Sequence, residues 1–161
     1  MTSDAHLLDA TGWRILAELQ RNARLSYSEL GRRVGLSTPA ITERVKRMEE
    51  AGTLTGYHAA VEPSAVGLSV LAFVRINVTG DERTAQRLSA KVRDMAEVLE
   101  CHRCTGDHAF ILKVAVASVA HLERVIDRLT PFGMTSTSVV LSSPVKRANL
   151  VAPKVESGRA K

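Results

Sequence analysis

Residues 26–52 read SYSELGRRVGLSTPAITERVKRMEEAG, a stretch that predicts two short helices separated by a tight turn. Ser26 and Glu29 form a Ser-x-x-Glu capping box, in which each side chain satisfies an exposed backbone N–H at the helix start. The helix that begins there is expected to end at Gly35, because glycine is the common residue just beyond a helix. The stretch therefore predicts a short helix followed by a sharp break.

The next helix is expected to begin with Thr38 as its N-cap and Pro39 at the first helical position, and to end at Gly52. Only residues 35–37 separate the two helices, which is the spacing of a helix-turn-helix unit. Another amphipathic helix precedes them and ends by Asn22. Its inward face is expected to carry Leu8, Ile15, Leu16 and Leu19.

Downstream of these helices, residues 53–61 are expected to form a short extended pair, the wing of a winged helix. The apolar period changes near residue 65 from helical to mostly alternating. The elements that follow are a strand (69–79), a helix (83–96), two strands (98–105 and 109–117), a helix (119–130) and a strand (134–142). This βαββαβ order predicts a ferredoxin-like module, and the fold class is α+β.

Four segments follow from this pattern. The winged helix-turn-helix DNA-binding domain is expected over residues 1–62 and a linker over 63–68. The ferredoxin-like βαββαβ module is expected over 69–147, with a basic tail over 148–161. The tail is expected to be partly disordered beyond Ala148 and to add non-specific phosphate contacts.

The composition is that of a globular protein, with 45% apolar and 24% charged residues among 161. The formal net charge is +5, and it is unevenly distributed. Residues 21–47 carry seven basic side chains against two acidic ones, and residues 146–161 carry five against one. This excess favours a polyanionic partner, because it attracts phosphate groups at long range.

The outward face of the second helix of the turn unit is the candidate DNA-binding surface. With Ile41, Val45 and Met48 inward, the helical period turns the polar side chains toward a major groove of double-stranded DNA. The candidate DNA-binding residues are Ser37, Thr38, Pro39, Thr42, Glu43, Lys46 and Arg47. The alternative is a solvated helix face with an i,i+4 ion pair between Glu43 and Arg47.

Two cysteines, Cys101 and Cys104, invite a metal or redox interpretation. On a strand, residues three apart project to opposite faces, so the two thiolates cannot hold one ion. We therefore expect no metal site, no cofactor and ordinary strand cysteines. His6, His58 and His121 are expected to be isolated surface residues.

No feature of the sequence indicates an enzyme. We find no nucleophile with its base, no paired-carboxylate cleft and no phosphate-binding glycine loop, so no catalytic residues are expected. Thr105-Gly106-Asp107-His108 joins two strands, and a plain hairpin turn accounts for it.

The chain is not expected to enter a membrane. The longest apolar stretch, residues 109–117, is short and contains Lys113. The N-terminus lacks a basic region ahead of an apolar one, so a cytoplasmic location is expected.

Over about residues 7–147 the sequence resembles the Lrp/AsnC family of transcriptional regulators. The matching residues are Leu8-Asp9-x-x-Gly12-x-x-Ile15-Leu16, Leu30-Gly31-Arg32-Arg33-Val34-Gly35-Leu36-Ser37, Glu43-Arg44-Val45-Lys46-Arg47-Met48-Glu49-x-x-Gly52, Gly56-Tyr57, Pro63-x-x-Val66-Gly67 and Cys101-His102-x-x-Thr105-Gly106-Asp107. So long a series in fixed order is highly specific.

The resemblance implies that residues 69–147 are an amino-acid-binding and oligomerisation domain. It implies a homodimer whose C-terminal sheets pair face to face, often assembled further into an octamer. It also implies an amino acid effector bound between dimers, in a pocket lined by the loop Thr105, Gly106, Asp107 and His108, with hydroxyls from Thr135 and Thr137. Ala109 departs from the aspartate that many members carry, which leaves Asp107 as the nearest anion for an effector's ammonium group.

Two functions of different classes therefore remain open. The first is a sequence-specific DNA-binding regulator whose oligomeric state or DNA affinity responds to a small effector. The second is a stand-alone small-molecule-binding or metabolic module without specific DNA binding. The outward face of the second helix of the helix-turn-helix, which carries Lys46 and Arg47, distinguishes the two functions.

Overall fold

The structure is a computed structural model that describes residues 7–153, and it divides into two compact units. Among the described residues, the helical unit contains 7–59 and 145–153, and the sheet unit contains 60–144. Residues 1–6 of the expected DNA-binding domain, His6 among them, and residues 154–161 of the expected tail lie outside the described residues.

Three helices build the helical unit: α1 (Ala10–Arg21), α2 (Tyr27–Val34) and α3 (Thr38–Glu50). They pack around one apolar core, in which Ile15, Leu30, Ile41, Val45 and Met48 are fully buried. Burying each such side chain contributes about 1.5–3 kcal/mol, so this core holds the unit together. The predicted helix-turn-helix is confirmed.

The helix boundaries follow local signals. The Ser26 hydroxyl accepts from the Glu29 backbone N–H at 3.2 Å, and Gly35 ends α2 in the left-handed region with a φ of 78°. Only half of the expected capping box forms, because the Glu29 carboxylate binds Arg32 and Arg33 instead of reaching back. The two arginines form ion pairs with this carboxylate and so compete with the backbone N–H for it.

Two details of the helix assignments were wrong. Ser37, not Thr38, is the N-cap of α3, and its hydroxyl accepts from the Ala40 N–H at 3.4 Å. Leu8 does not face the core, because α1 begins only at Ala10 and Leu8 lies in the turn before it, 38% exposed. Leu7 is buried in its place.

The prediction of a wing was wrong, because no strand forms between residues 51 and 69 in the described chain. Residues 55–62 are all exposed, so none of their side chains packs on a core, and an isolated two-stranded hairpin is marginal in water. Tyr57 is tied to α3 by donating its hydroxyl to Glu49 at 2.8 Å. Burial together with this bond raises the pKa of Tyr57.

The sheet unit has the elements β1 (Val70–Val78), α4 (Glu82–Arg93), β2 (Val98–Arg103), β3 (Phe110–Val116), α5 (Val119–Leu129) and β4 (Gly133–Val139). The four strands pair antiparallel in the order β2-β3-β1-β4. The βαββαβ order and the α+β fold class are therefore confirmed.

Both helices of this unit cover the same face of the sheet. Leu88 of α4 and Val125 of α5 lie in one buried cluster with Val74 of β1 and Leu112 of β3. We call this the helix-covered face and the other the outer face. The outer face bears Leu71, Phe73, Arg75, Ile111, Lys113 and Ala115, at alternate positions of β1 and β3.

The segment after β4 returns to the helical unit. Residues 148–153 have no regular structure, but Leu150 makes two hydrogen bonds to the Gln20 side chain. The tail is thus anchored two residues beyond Ala148, where disorder was expected to begin.

Candidate functional site

The recognition helix α3 presents all of its predicted DNA-binding residues to solvent. Ser37, Thr38, Pro39, Thr42, Glu43, Lys46 and Arg47 are exposed, and we call them the recognition face. On the opposite side of α3, Ile41, Val45 and Met48 are fully buried. The inward stripe therefore fixes the direction in which the polar residues point.

The recognition face carries two i,i+4 ion pairs. Arg47 binds Glu43 at 2.8 Å and Lys46 lies 3.6 Å from Glu50. The Glu43–Arg47 pair expected for a solvated helix face therefore does form. Exposed helix pairs of this kind contribute only about 0.3–0.5 kcal/mol, so they leave both cations available to a phosphate.

Other basic residues near the turn serve the fold. Arg44 holds Asp9, the N-cap of α1, through two bonds of 2.9 Å. Arg33 bonds to Glu18 and Glu29, each at 2.9 Å. The Arg33 bonds are the main reason that the pKa values of Glu18 and Glu29 lie below their ordinary range. Much of the local positive charge is therefore neutralised inside the unit, and Lys46 and Arg47 are the cations on its recognition face.

The predicted effector loop joins β2 to β3. Thr105, Gly106 and Asp107 are exposed, and His108 is half-buried. The Nδ1 atom of His108 is buried and has no hydrogen-bond partner among residues 7–153. Because native structures seldom leave a buried polar atom unpaired, this nitrogen is a candidate contact for a bound molecule.

Thr135 and Thr137 lie on β4, at the opposite edge of the sheet from this loop. Both are half-buried, and they pair in register with Ile76 and Val74 on the helix-covered face. Three strand spacings separate the two edges, which is roughly 14 Å. One chain therefore does not bring the loop and the two threonines together.

Of the two cysteines, only Cys101 lies on a strand, because β2 ends at Arg103 and Cys104 follows it. Cys101 pairs with Leu112, whose side chain lies in the core under the helices, while the Cys104 N–H donates to the Ala109 carbonyl at the end of the hairpin. Burial raises the pKa of the Cys101 thiol, which disfavours the reactive thiolate. Across residues 7–153, no group of three or more His, Cys, Asp or Glu side chains is placed to hold a metal ion.

One cluster was not expected from the sequence. His121 is not isolated, because its Nε2 lies 3.1 Å from Glu97 Oε1, to which Arg128 also donates at 2.6 Å. Burial alone would raise the pKa of Glu97, but its hydrogen bonds, including those to His121 and Arg128, lower it overall. The cluster lines an open groove of about 420 Å³ with Arg124 and Asp127. No sequence signal could have found it, because Glu97 and His121 lie 24 residues apart.

None of the helices in the described range is long and apolar enough to cross a lipid bilayer.

Two models of known protein domains match the chain, one in each half. The model of the AsnC-type helix-turn-helix domain matches residues 8–49, and that of the Lrp/AsnC ligand binding domain matches residues 71–150. The chain is 38% identical to the HTH-type transcriptional regulator YezC of Bacillus subtilis, over 84% of this chain and 95% of that protein. It is 36% identical to the leucine-responsive regulatory protein of Haemophilus influenzae, over 91% of each.

Among solved structures, the transcriptional regulator NMB0573 of Neisseria meningitidis in complex with L-methionine superposes with a TM-score of 0.83. The two sequences are 31% identical, and the match covers 89% of this chain and 96% of that one.

Proposed function

The chain belongs to the Lrp/AsnC family of transcriptional regulators, and we propose that it binds operator DNA through the recognition face and an amino acid through the 105–108 loop. The observation that carries the DNA-binding proposal is the recognition helix itself. It is capped by Ser37, held by a fully buried stripe, and exposed along its polar face. These features support the regulator over a stand-alone metabolic module.

Each residue of the recognition face has a role in the proposal. Lys46 and Arg47 contact phosphates or guanine edges, since both are cations that donate hydrogen bonds. Thr42 contacts a thymine methyl or a phosphate, and Glu43 accepts from a cytosine amino group. Ser37, Thr38 and Pro39 lie at the N-terminal end of the helix, where recognition helices approach base edges.

The effector proposal starts from what a free amino acid needs. Its ammonium group requires acceptors and its carboxylate requires donors. The exposed carboxylate of Asp107 supplies an acceptor, and backbone groups of Thr105 and Gly106 with the His108 ring supply further contacts. L-methionine bound to the Neisseria regulator supports an amino acid as the class of ligand. Thr135 and Thr137 of a neighbouring subunit complete the pocket.

Replacing Asp107 by alanine is expected to weaken effector binding at least tenfold, because the ammonium group loses its counter-charge. A tenfold loss corresponds to about 1.4 kcal/mol. A thermal-shift screen of the twenty amino acids identifies the ligand, and calorimetry then measures its affinity for each variant.

Asp94→Ala is the matched control, since Asp94 is an exposed aspartate at the end of α4 in the same unit. It should bind the ligand as the wild type does. If Asp107→Ala and Thr137→Val both keep full affinity, the pocket lies elsewhere.

The proposed assembly is a homodimer formed through the outer face of the sheet, with further assembly into octamers. Leu71, Phe73, Ile111 and Ala115 place apolar side chains on that face. A sheet that faced water on one side would carry polar residues at these alternating positions. A DNA-binding regulator acts where the chromosome lies, so the proposal places the protein in the cytoplasm.

Phe73→Glu is expected to break the assembly into monomers, because pairing through the outer face would bury an uncompensated charge. Light scattering after size-exclusion chromatography measures the mass. Val119→Glu adds the same charge at an exposed residue of α5, outside the sheet, and should leave the mass unchanged. An unchanged mass for Phe73→Glu would exclude the outer face as the interface.

A further inference from the structure

The Gln20 side chain is hydrogen-bonded to the backbone of the segment that follows β4. Its Nε2 donates to the Leu150 carbonyl at 3.0 Å, and the Leu150 N–H donates to its Oε1 at 2.7 Å. This reciprocal pair satisfies both the donor and the acceptor of one backbone residue, as a neighbouring strand would. It joins residues 130 positions apart in the sequence. We call it the Gln20 clamp.

The clamp does not depend on apolar burial. Leu150 is 77% exposed and Val151 is 79% exposed, so neither side chain packs firmly on α1. The two amide bonds are therefore the specific contacts that hold the segment where it lies. A single change at Gln20 is expected to release it.

The clamped segment brings the exposed cation Arg147 to the helical unit. Within that unit, Arg33 and Arg44 pair with partly buried carboxylates and serve the fold. Arg147 is exposed, and among residues 7–153 no carboxylate is paired with its guanidinium. Arg24, which follows α1 four residues after Gln20, is exposed and likewise without an ion-pair partner in that range. The clamp thus holds the segment that contains Arg147 to the C-terminal end of α1 at Leu150.

We propose that residues 145–153 form a second DNA-contacting element of the helical unit, which the Gln20 clamp holds in place and which contacts phosphates through Arg147 and the neighbouring Lys146. This inference rests on the proposed function, because it requires that the helical unit binds DNA. Phosphate contacts raise affinity and salt dependence without reading the sequence. The element therefore strengthens binding to every duplex while the recognition face selects the operator.

The test compares Gln20→Leu with Gln86→Leu, which makes the same change at an exposed position of α4 in the sheet unit. Binding to a random-sequence duplex and to a selected operator is measured across a salt series. For Gln20→Leu the slope of log affinity against log salt is expected to fall by about 0.9 for each phosphate that the variant no longer neutralises. The preference for operator over random duplex should stay the same. Gln86→Leu should match the wild type.

Two further measurements separate the steps of the inference. Hydrogen exchange across residues 146–153 should be faster in Gln20→Leu than in the wild type, which tests the clamp. The double variant Lys146→Ala/Arg147→Ala keeps Gln20, and its salt slope should be smaller by up to about 1.8, which tests the phosphate contacts.

Each way of failing has a distinct signature. Unchanged exchange in Gln20→Leu would overturn the clamp, and an unchanged salt slope in Lys146→Ala/Arg147→Ala would overturn the phosphate contacts. In both cases DNA binding that still depends on Lys46 and Arg47 leaves the proposed function standing. Wild-type protein that retards no duplex at any salt concentration would contradict the proposed function itself.

Discussion

Replacing Lys46 and Arg47 by alanine in the same chain is expected to abolish retardation of operator DNA. Operator here means a duplex selected from a random pool by the wild-type protein. A good base contact contributes about 1–3 kcal/mol, so removing two such residues weakens binding by about 2–6 kcal/mol. The Lys46 side chain is 65% exposed and that of Arg47 is 61% exposed, so their removal leaves the core of the unit intact.

The control for this experiment is Lys91→Ala/Arg93→Ala, which likewise removes one lysine and one arginine, here from the exposed end of α4. That variant should retard the operator as the wild type does, because its charges lie in the sheet unit. The mass of both variants in solution should be unchanged. Retardation by Lys46→Ala/Arg47→Ala at wild-type concentrations would refute the recognition face as the DNA-binding surface.

The helical unit was predictable because its signals are local. Ser26 marks the start of α2 and Gly35 marks its end. Each does so through a hydrogen bond to a residue only a few positions away in the chain. The inward stripe of Ile41, Val45 and Met48 has the helical period, and all three are fully buried as expected. Once that stripe is known, the direction of Lys46 and Arg47 follows from the geometry of the helix.

The features that could not be predicted depend on residues far apart in the chain. Arg44 faces Asp9 across 35 positions, and Gln20 holds Leu150 across 130. Such pairs are set by how the helices and the returning chain pack, and no local pattern encodes them.

The prediction of the wing was wrong for a related reason. Residues 53–61 contain turn and strand signals, but strands gain most of their stability from pairing and from a packed face. Leu54 packs on the core, whereas residues 55–62 are exposed and nothing covers them. Propensity alone was therefore insufficient to form the two strands.

For the effector site, the sequence identified a loop and a strand but not their spatial relation. The strand order β2-β3-β1-β4 places the 105–108 loop and Thr135 on opposite edges of one sheet. One continuous row of paired residues nevertheless crosses the sheet, from Arg103 through Phe110 and Ile76 to Thr135. Both parts of the proposed pocket thus lie at the same end of the sheet, where a second subunit can bring its own strand to the loop.

Gly133 begins the strand that carries Thr135, and Gly133→Ala is expected to destabilise the sheet unit by about 3 kcal/mol or more. Its φ of 154° lies in a region that side chains rarely adopt, and such strain costs about 1–3 kcal/mol. A Cβ there would also meet the Asn77 carbonyl oxygen and two more backbone atoms of β1, at 2.9 Å or less. Backbone atoms of a paired strand cannot move aside cheaply, and overpacking adds a further cost of about 1–3 kcal/mol.

The single tryptophan makes this prediction specific to one unit. Trp13 packs against the core of the helical unit, and both tyrosines, Tyr27 and Tyr57, also belong to that unit. In urea, the circular-dichroism transition of Gly133→Ala should move to lower denaturant, while the Trp13 fluorescence transition should move less.

Gly67→Ala separates the two causes of the expected loss. Gly67 has a φ of 84°, but a Cβ there would meet nothing within 4 Å, so this variant suffers backbone strain without a collision. If steric conflict with Asn77 matters, Gly133→Ala must lose clearly more stability than Gly67→Ala. Equal losses would show that strain alone accounts for the effect and that β1 can yield at this point.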